Sequence, residues 1–202
     1  MKTYPIRIYH ASWSVCGLEF SKKEVVKHAL RELEYHFWLL DRLGIGKEGI
    51  VVVHVGGIYD NKKESLKRFK SVIRSNSWLL ERLAAENDGR YYTVEDLLLA
   101  DFSLPIVYDY YHHSLNPSIF DPREVLESWK DRVPGFHLSS RPRGKYRFGE
   151  HGEWINLKDF IDFLEQFRNN RIDLILEAKG KEKAVKKLIE EICKFKKLDS
   201  KL

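Results

Sequence analysis

The sequence predicts an α/β protein: a parallel (β/α) barrel left incomplete, with about six of the eight β-α units that close such a barrel. Three observations carry this. Short apolar runs alternate with amphipathic helical patterns along the whole chain. One of those runs, Ile50-Val51-Val52-Val53-His54-Val55, is β-branched almost throughout, as in a strand covered on both faces. No linker-like stretch divides the 202 residues, so they read as one partial barrel domain over 1–193 with a basic tail over 194–202.

Composition narrows the class. The chain is 43% hydrophobic and 32% charged, which fits a folded globular protein rather than a disordered one. Two cysteines, Cys16 and Cys193, are too few for a disulfide framework. No apolar run reaches the ~18 residues of a membrane span. The start, Met1-Lys2-Thr3-Tyr4-Pro5, has no signal-peptide core, so a location inside the cell, in the cytoplasm, is expected. The net charge of +5 is compatible with an anionic partner but weak evidence alone.

Taken in order, Ile6 to His10 alternates as a short strand ending at a histidine, and a loop from Ala11 to Phe20 carries Trp13 and Cys16. Ser21-Lys22-Lys23-Glu24 has a capping-box pattern, and Val25, Val26, Ala29, Leu30, Leu33, Phe37 and Leu40 recur at helical spacing until Gly44 and Gly46 stop the helix. After the strand ending at His54, a polar helix over 62–76 buries Leu66, Phe69 and Ile73. Leu83 to Ala85 runs into Glu86-Asn87-Asp88, Thr93 opens a helix, and Ile106 to Asp109 forms the fourth strand. Tyr108 to Pro117 is read as that strand surfacing into a loop. Asp121 caps a helix with Pro122 in its first turn. Phe136-His137-Leu138 is a brief strand, 157–167 an amphipathic helix, and Ile172 to Lys179 the sixth strand. Ala184, Val185, Leu188, Ile189 and Ile192 face inward from a last helix.

Every one of these strands finishes on a metal-competent residue: His10, His54, Glu86, Asp109 with His112, His137 and Glu177. The spacings of 44, 32, 23, 28 and 40 residues each allow one β-α unit. In a parallel barrel the C-terminal strand ends share one face, where such barrels keep their active sites. A single strand-end histidine is ordinarily a hydrogen-bonded structural residue. A core gains nothing from hydrogen-bonding or ionised side chains at all six ends, because each costs free energy unless satisfied. Three carboxylates and four imidazoles at one mouth point to a site for two or three ions. Oxygen and nitrogen donors without thiolates suit Mn²⁺, Zn²⁺ or Fe²⁺.

A second feature follows His137. Arg141, Arg143, Lys145 and Arg147 place four cations within seven residues, beside Ser139 and Ser140. In isolation this is a solvated basic loop. On the face that holds the ligands it would contact phosphates, and ions beside phosphate contacts suggest phosphodiester cleavage by a metal-activated hydroxide.

The runs His54-Val55-Gly56-Gly57, Glu86-Asn87-Asp88, Asp109 to Pro117, His137-Leu138-Ser139-Ser140 and Glu177 to Glu182 resemble, in the same order, those of the UV damage endonucleases. The resemblance implies a barrel of TIM type related to the apurinic endonucleases of the endonuclease IV type, binding Mn²⁺ and nicking damaged double-stranded DNA 5′ to pyrimidine photoproducts. It implies one ion held by His10, His54, Glu86 and Glu177, and a second beside Glu86, Asp109, His137 and Glu177. His112 would serve a third. It also implies that His151 lies close to the scissile phosphate and Lys179 beside the cluster, so that His151, Lys179 and Glu177 are the catalytic set. Contacts to DNA are expected from Trp13, Ser139, Ser140, Arg141, Arg143, Lys145 and Arg147.

Three departures stand out. Family members carry additional N-terminal β-α units, which agrees with six units counted against eight. The lesion-probing residues after the first histidine are replaced by Ala11-Ser12-Trp13-Ser14, where Trp13 reads either as a stacking wedge or as a loop anchor. The family lysine two places before His137 is Gly135. An open barrel would leave two sheet edges, which a homodimer could cover. Two other readings stay open: a metal- and DNA-binding remnant without lesion-specific cleavage, and a sugar isomerase of similar architecture, which the basic stretch disfavours.

Overall fold

The structure, a computed structural model, describes residues 7–11 and 17–199. Six strands alternate with helices among these residues: β1 (Ile8–Ala11), α1 (Lys23–Arg42), β2 (Gly49–His54), α2 (Lys62–Ser75), β3 (Leu83–Glu86), α3 (Val94–Ala100), β4 (Ile106–Val107), α4 (Tyr110–Leu115), α5 (Pro122–Glu127), β5 (Gly135–Leu138), α6 (Leu157–Gln166), β6 (Asp173–Leu176) and α7 (Glu182–Asp199). A short 3-10 turn, Ser77–Glu81, precedes β3.

All strand pairs are parallel, in the order β1-β2-β3-β4 and β5-β6. A bridge from Asp109 to His137 joins the two groups just past the end of β4. Helical crossovers carry the chain from each strand to the next, as parallel pairing requires. β2 is buried on both faces from Gly49 to Val53, which is why its run shows no polar alternation. Trp129 is fully buried beneath β4 and donates its indole N–H to the Ile106 carbonyl at 2.8 Å.

β1 and β6 lie at the outer ends of this order. Side chains span between them. Arg7 pairs with Asp173 through Nε and through Nη2 (2.8 Å to Oδ1), and the Tyr9 hydroxyl donates to Asp173 Oδ2 at 3.1 Å. Asp173 opens β6, so these bonds tie β1 to the N-terminal end of the last strand.

Several sequence expectations are corrected in detail. Ser21 does not cap α1: the helix begins at Lys23, and Lys22 at its N-cap makes no side-chain cap bond. The capping box forms instead at α3, where Thr93 and Asp96 exchange bonds. Tyr110–Leu115 is a helix, not a loop, because the Asp109 side chain accepts from the His112 amide and starts the turn. Val185 and Ile189 on α7 are exposed, while Ala184 and Leu188 carry its buried face. The helix also continues to Asp199, through most of the stretch read as a tail. No helix among the described residues is long and apolar enough to cross a membrane.

Candidate metal centre

The parallel register brings the ligand candidates together. His54 and Glu86 are direct partners at the ends of β2 and β3. Asp109 and His137 are bridge partners across β4 and β5. Glu177 follows β6, its amide bonded to the Leu138 carbonyl, one residue past His137. Gly56 turns the chain away behind His54 at φ +113, and a Cβ there would overlap the carboxylate of Glu19. Buried Glu19 accepts from the Gly57 amide at 3.0 Å and so pins this loop.

Two groups of donors result, each with ligand atoms within 4.8 Å of one another: His54, Glu86 and His112, and Glu86, Asp109, His137 and Glu177. Glu86 belongs to both. Its Oε1 is 2.9 Å from His137 Nδ1 and 3.8 Å from His112 Nδ1, and its Oε2 is 3.5 Å from His54 Nε2. His137 Nδ1 also lies 3.3 Å from Glu177. The second group is the set the family resemblance implies. The first brings His112 beside His54 and Glu86, two of the residues the resemblance assigns to one ion. Side chains of His10 and Trp13 lie outside the described residues, although the His10 backbone pairs with Val51 in β1.

Asp109 has two tasks, one per oxygen. Oδ1 holds the His112 amide at 2.6 Å, while Oδ2 is buried without a hydrogen-bond partner among the described residues. An orphaned carboxylate oxygen in a buried cluster of imidazoles and carboxylates is what a cation would satisfy. The helix it caps separates the two adjacent imidazoles. His112 turns into the cluster, while His113 packs against Phe120, with ring centroids 5.2 Å apart, and burial pushes its pKa down.

Asn87, which sequence reading passed over, holds the centre in place. Its amide donates to the Asp109 carbonyl at 3.1 Å and its oxygen accepts from the Asp109 amide at 2.8 Å. Its own carbonyl lies 3.1 Å from His112 Nδ1. Such a carbonyl partner fixes a ligating imidazole's tautomer and leaves Nε2 free. The only signal was its place next to Glu86.

The acids and imidazoles of the cluster shift one another's proton affinities. Burial alone would raise Glu86, but His137, His54 and His112 outweigh it and pull its carboxyl below the ordinary range. Burial alone would lower His137, but Glu86 and Glu177 outweigh it and lift it to about 9. Glu177 is raised to about 7, first by burial and then by Glu86 and Asp109. All three shifts follow from acids and imidazoles confined in one poorly solvated place.

The remaining candidates sit around this core. His151 Nδ1 is 3.6 Å from Glu177, with its ring edge-on to Tyr111 at 5.9 Å. Lys179 pairs with Glu150, the neighbour of His151 in the chain. Ser139 is buried with a hydroxyl that has no partner among the described residues, and the Ser140 hydroxyl accepts from the Asn156 amide at 2.9 Å. Arg141 lies over Tyr146, while Arg143, Lys145 and Arg147 are in the exposed stretch between β5 and α6.

Comparison with known proteins identifies the family. The family described as UV-endonuclease UvdE matches residues 2–201. The chain is 32% identical over 185 residues to the UV DNA damage endonuclease of Bacillus velezensis, covering 85% of this chain and 57% of that protein. It is 31% identical over 186 residues to the one of Bacillus cereus, covering 87% and 58%. The solved structure of SacUVDE superposes with a TM-score of 0.82 at 32% identity, over 95% of this chain and 66% of that one. A xylose isomerase-like TIM barrel/4-hydroxyphenylpyruvate dioxygenase fusion protein gives 0.54 at 15% identity, over 84% of this chain and 30% of its own, a likeness of fold alone. The chain thus spans 57% to 58% of the length of the curated relatives it matches.

Proposed function

Because this chain belongs to the UV-endonuclease UvdE family, we propose that it is a metal-dependent DNA repair endonuclease that nicks the backbone 5′ to UV photoproducts. The observation that carries the reading is the shared carboxylate of Glu86 between two donor groups, with Asp109 Oδ2 beside it unsatisfied among the described residues. The donor set fits a divalent ion with mixed oxygen and nitrogen preference, Mn²⁺ first and Zn²⁺ or Fe²⁺ as substitutes. Glu86, Asp109, His137 and Glu177 would hold one ion, and His54, Glu86 and His112 another, with His10 assigned to the cluster from the sequence. Bound there, such ions supply charge stabilisation at a phosphate and a hydroxide nucleophile at neutral pH.

The chain's own groups then have definite tasks. Glu177 would act as a carboxylate ligand, at the edge of the donor group that faces His151. His151 stands 3.6 Å from Glu177 and would donate to a phosphate oxygen. Arg141, Arg143, Lys145 and Arg147 supply phosphate contacts, with Ser139 and Ser140 at their root, and Trp13 reads as a lesion wedge. Lys179, paired with Glu150, orients that edge of the site rather than the ions. The same reading takes the strands as about six units of an eight-unit barrel, places the protein in the cytoplasm with damaged duplex DNA as partner, and assigns a second copy to the outer edges of β1 and β6.

The test is nicking of UV-irradiated supercoiled plasmid with Mn²⁺. Nicking above a Glu177→Gln control is expected, and its absence in folded protein overturns the reading. A second reading, a metal- and DNA-binding protein without lesion-selective cleavage, is favoured by Gly135, which offers no side chain where the family carries lysine. It predicts equal binding of irradiated and undamaged DNA.

A further inference from the structure

The β5–α6 connection and the turn before α7 enclose a cleft of about 600 Å³, bordered by His151 and carrying Arg141, Arg143, Lys145, Lys179 and Lys187. His151 is a shared wall, since its Nδ1 faces Glu177 of the metal centre at 3.6 Å. The cleft therefore adjoins the candidate centre across His151.

Its walls are stitched by backbone bonds. The Gly152 amide donates to the Ser140 carbonyl at 2.7 Å, and the Lys179 and Gly180 amides donate to the Gly152 and Glu153 carbonyls at 3.0 Å each. Gly180 packs so closely that a Cβ there would come 2.6 Å from the Glu153 carbonyl and 3.1 Å from the Trp154 ring. Trp154 is thereby seated on the turn. From the second turn of α7, the Lys187 ammonium stands 4.6 Å from the centroid of that ring. A cation over an indole face keeps a fixed position that a free surface lysine lacks.

The lining's acids are Glu150, Glu153 and Glu191, and Glu150 is taken up by Lys179. Four cations then face two acids, and they come from separate segments: the 141–145 stretch and helix α7. Charge spread along a groove suits a chain of phosphates better than one small anion. We propose that this cleft carries the DNA backbone away from the metal centre, and that Lys187, seated on Trp154, is its outermost phosphate contact. The proposal rests on the endonuclease reading above and adds Trp154 and Lys187 to it.

Fluorescence anisotropy with an undamaged duplex, across a salt series, tests it on the full chain. Removing one phosphate contact should lower the log–log salt slope by ~0.9, which corresponds to about fivefold weaker binding at ~0.15 M salt relative to 1 M. Lys187→Ala is expected to show both effects with Mn²⁺ binding unchanged. Trp154→Ala is expected to weaken binding similarly and Trp154→Phe to retain it. Lys63→Ala, on α2 away from the cleft, is the control. If the protein binds duplex and Lys187→Ala and Lys187→Glu leave slope and affinity unchanged, the path is wrong while the endonuclease reading survives. These exposed-lysine variants decide the matter even if Trp154→Ala does not fold. If the unaltered protein binds no duplex at all, both readings fall.

Discussion

The ring of Tyr9 occupies the space that a side chain at position 135 would need. A Cβ built on Gly135 would overlap Tyr9 Cε1 and Cζ, and the Tyr9 hydroxyl is anchored beyond it to Asp173 and to the Val133 carbonyl. Tyr9 and Gly135 therefore form one steric unit, contributed by β1 and β5. Gly135→Lys alone should cost about 1–3 kcal/mol, as forced volume in a packed interior does. Paired with Tyr9→Ala, the same change should cost less than the sum of the two single changes by about 1 kcal/mol or more. Urea unfolding of the four proteins measures this, and strict additivity would refute the steric coupling.

The acids and imidazoles of the cluster set a pH dependence. His137 is lifted to about 9, so its contribution to stability is complete below its ordinary pKa near 6.5 and is lost as pH rises through 9. Glu177 is raised from 4.5 to about 7, so its ionisation also costs stability as pH rises through that range. Both act in the same direction. Metal-free protein should lose on the order of 2 kcal/mol between pH 6 and 9. A divalent ion needs these groups deprotonated, so the stabilisation from added Mn²⁺ should grow with pH over the same window. Thermal melts with and without Mn²⁺ at several pH values read both slopes, and parallel slopes would contradict the assignment.

The strand sequence and the convergence of polar strand-end residues were legible in the sequence for one reason. β-branched runs and polar strand ends are local signals, and a parallel arrangement converts local position into a shared face. His54, Glu86, Asp109, His137 and Glu177 therefore appear together without any knowledge of side-chain direction. The remainder depends on tertiary contact. Helix α4 was hidden because its six residues carry no apolar period, and only the Asp109 cap reveals it. Asn87 acts through bonds to a strand 22 residues away, which no spacing rule marks. Tyr9 looked like an ordinary strand residue until Gly135 was seen beneath it. Val185 and Ile189 fit a helical stripe, yet both side chains stay exposed on α7.

Sharing of Glu86 predicts unequal losses of metal. Glu86→Gln keeps the shape and a hydrogen bond to His137 but removes the charge common to both donor groups. It should abolish high-affinity binding at both. His54→Ala touches one group only and should leave about one ion per chain. Metal content after dialysis against Mn²⁺, with circular dichroism as a check of folding, separates the two. Equal residual metal in both variants would show that Glu86 is not shared.

Asn87 offers a test of positioning separate from ligation. It supplies no atom to either donor group, yet it grips Asp109 through both backbone polar groups and faces His112 through its own carbonyl. Asn87→Ala leaves the buried Asp109 amide and carbonyl without these partners, which should cost about 1–3 kcal/mol. It should also weaken metal binding by about 10- to 100-fold, as loss of a supporting hydrogen bond does. A purely structural role would lower the melting temperature and leave the Mn²⁺ affinity of the folded protein unchanged. Titration calorimetry well below the melting transition distinguishes these outcomes. Asn87→Asp, which keeps the acceptor for the Asp109 amide but loses the donor to its carbonyl, should fall between Asn87→Ala and the unaltered protein.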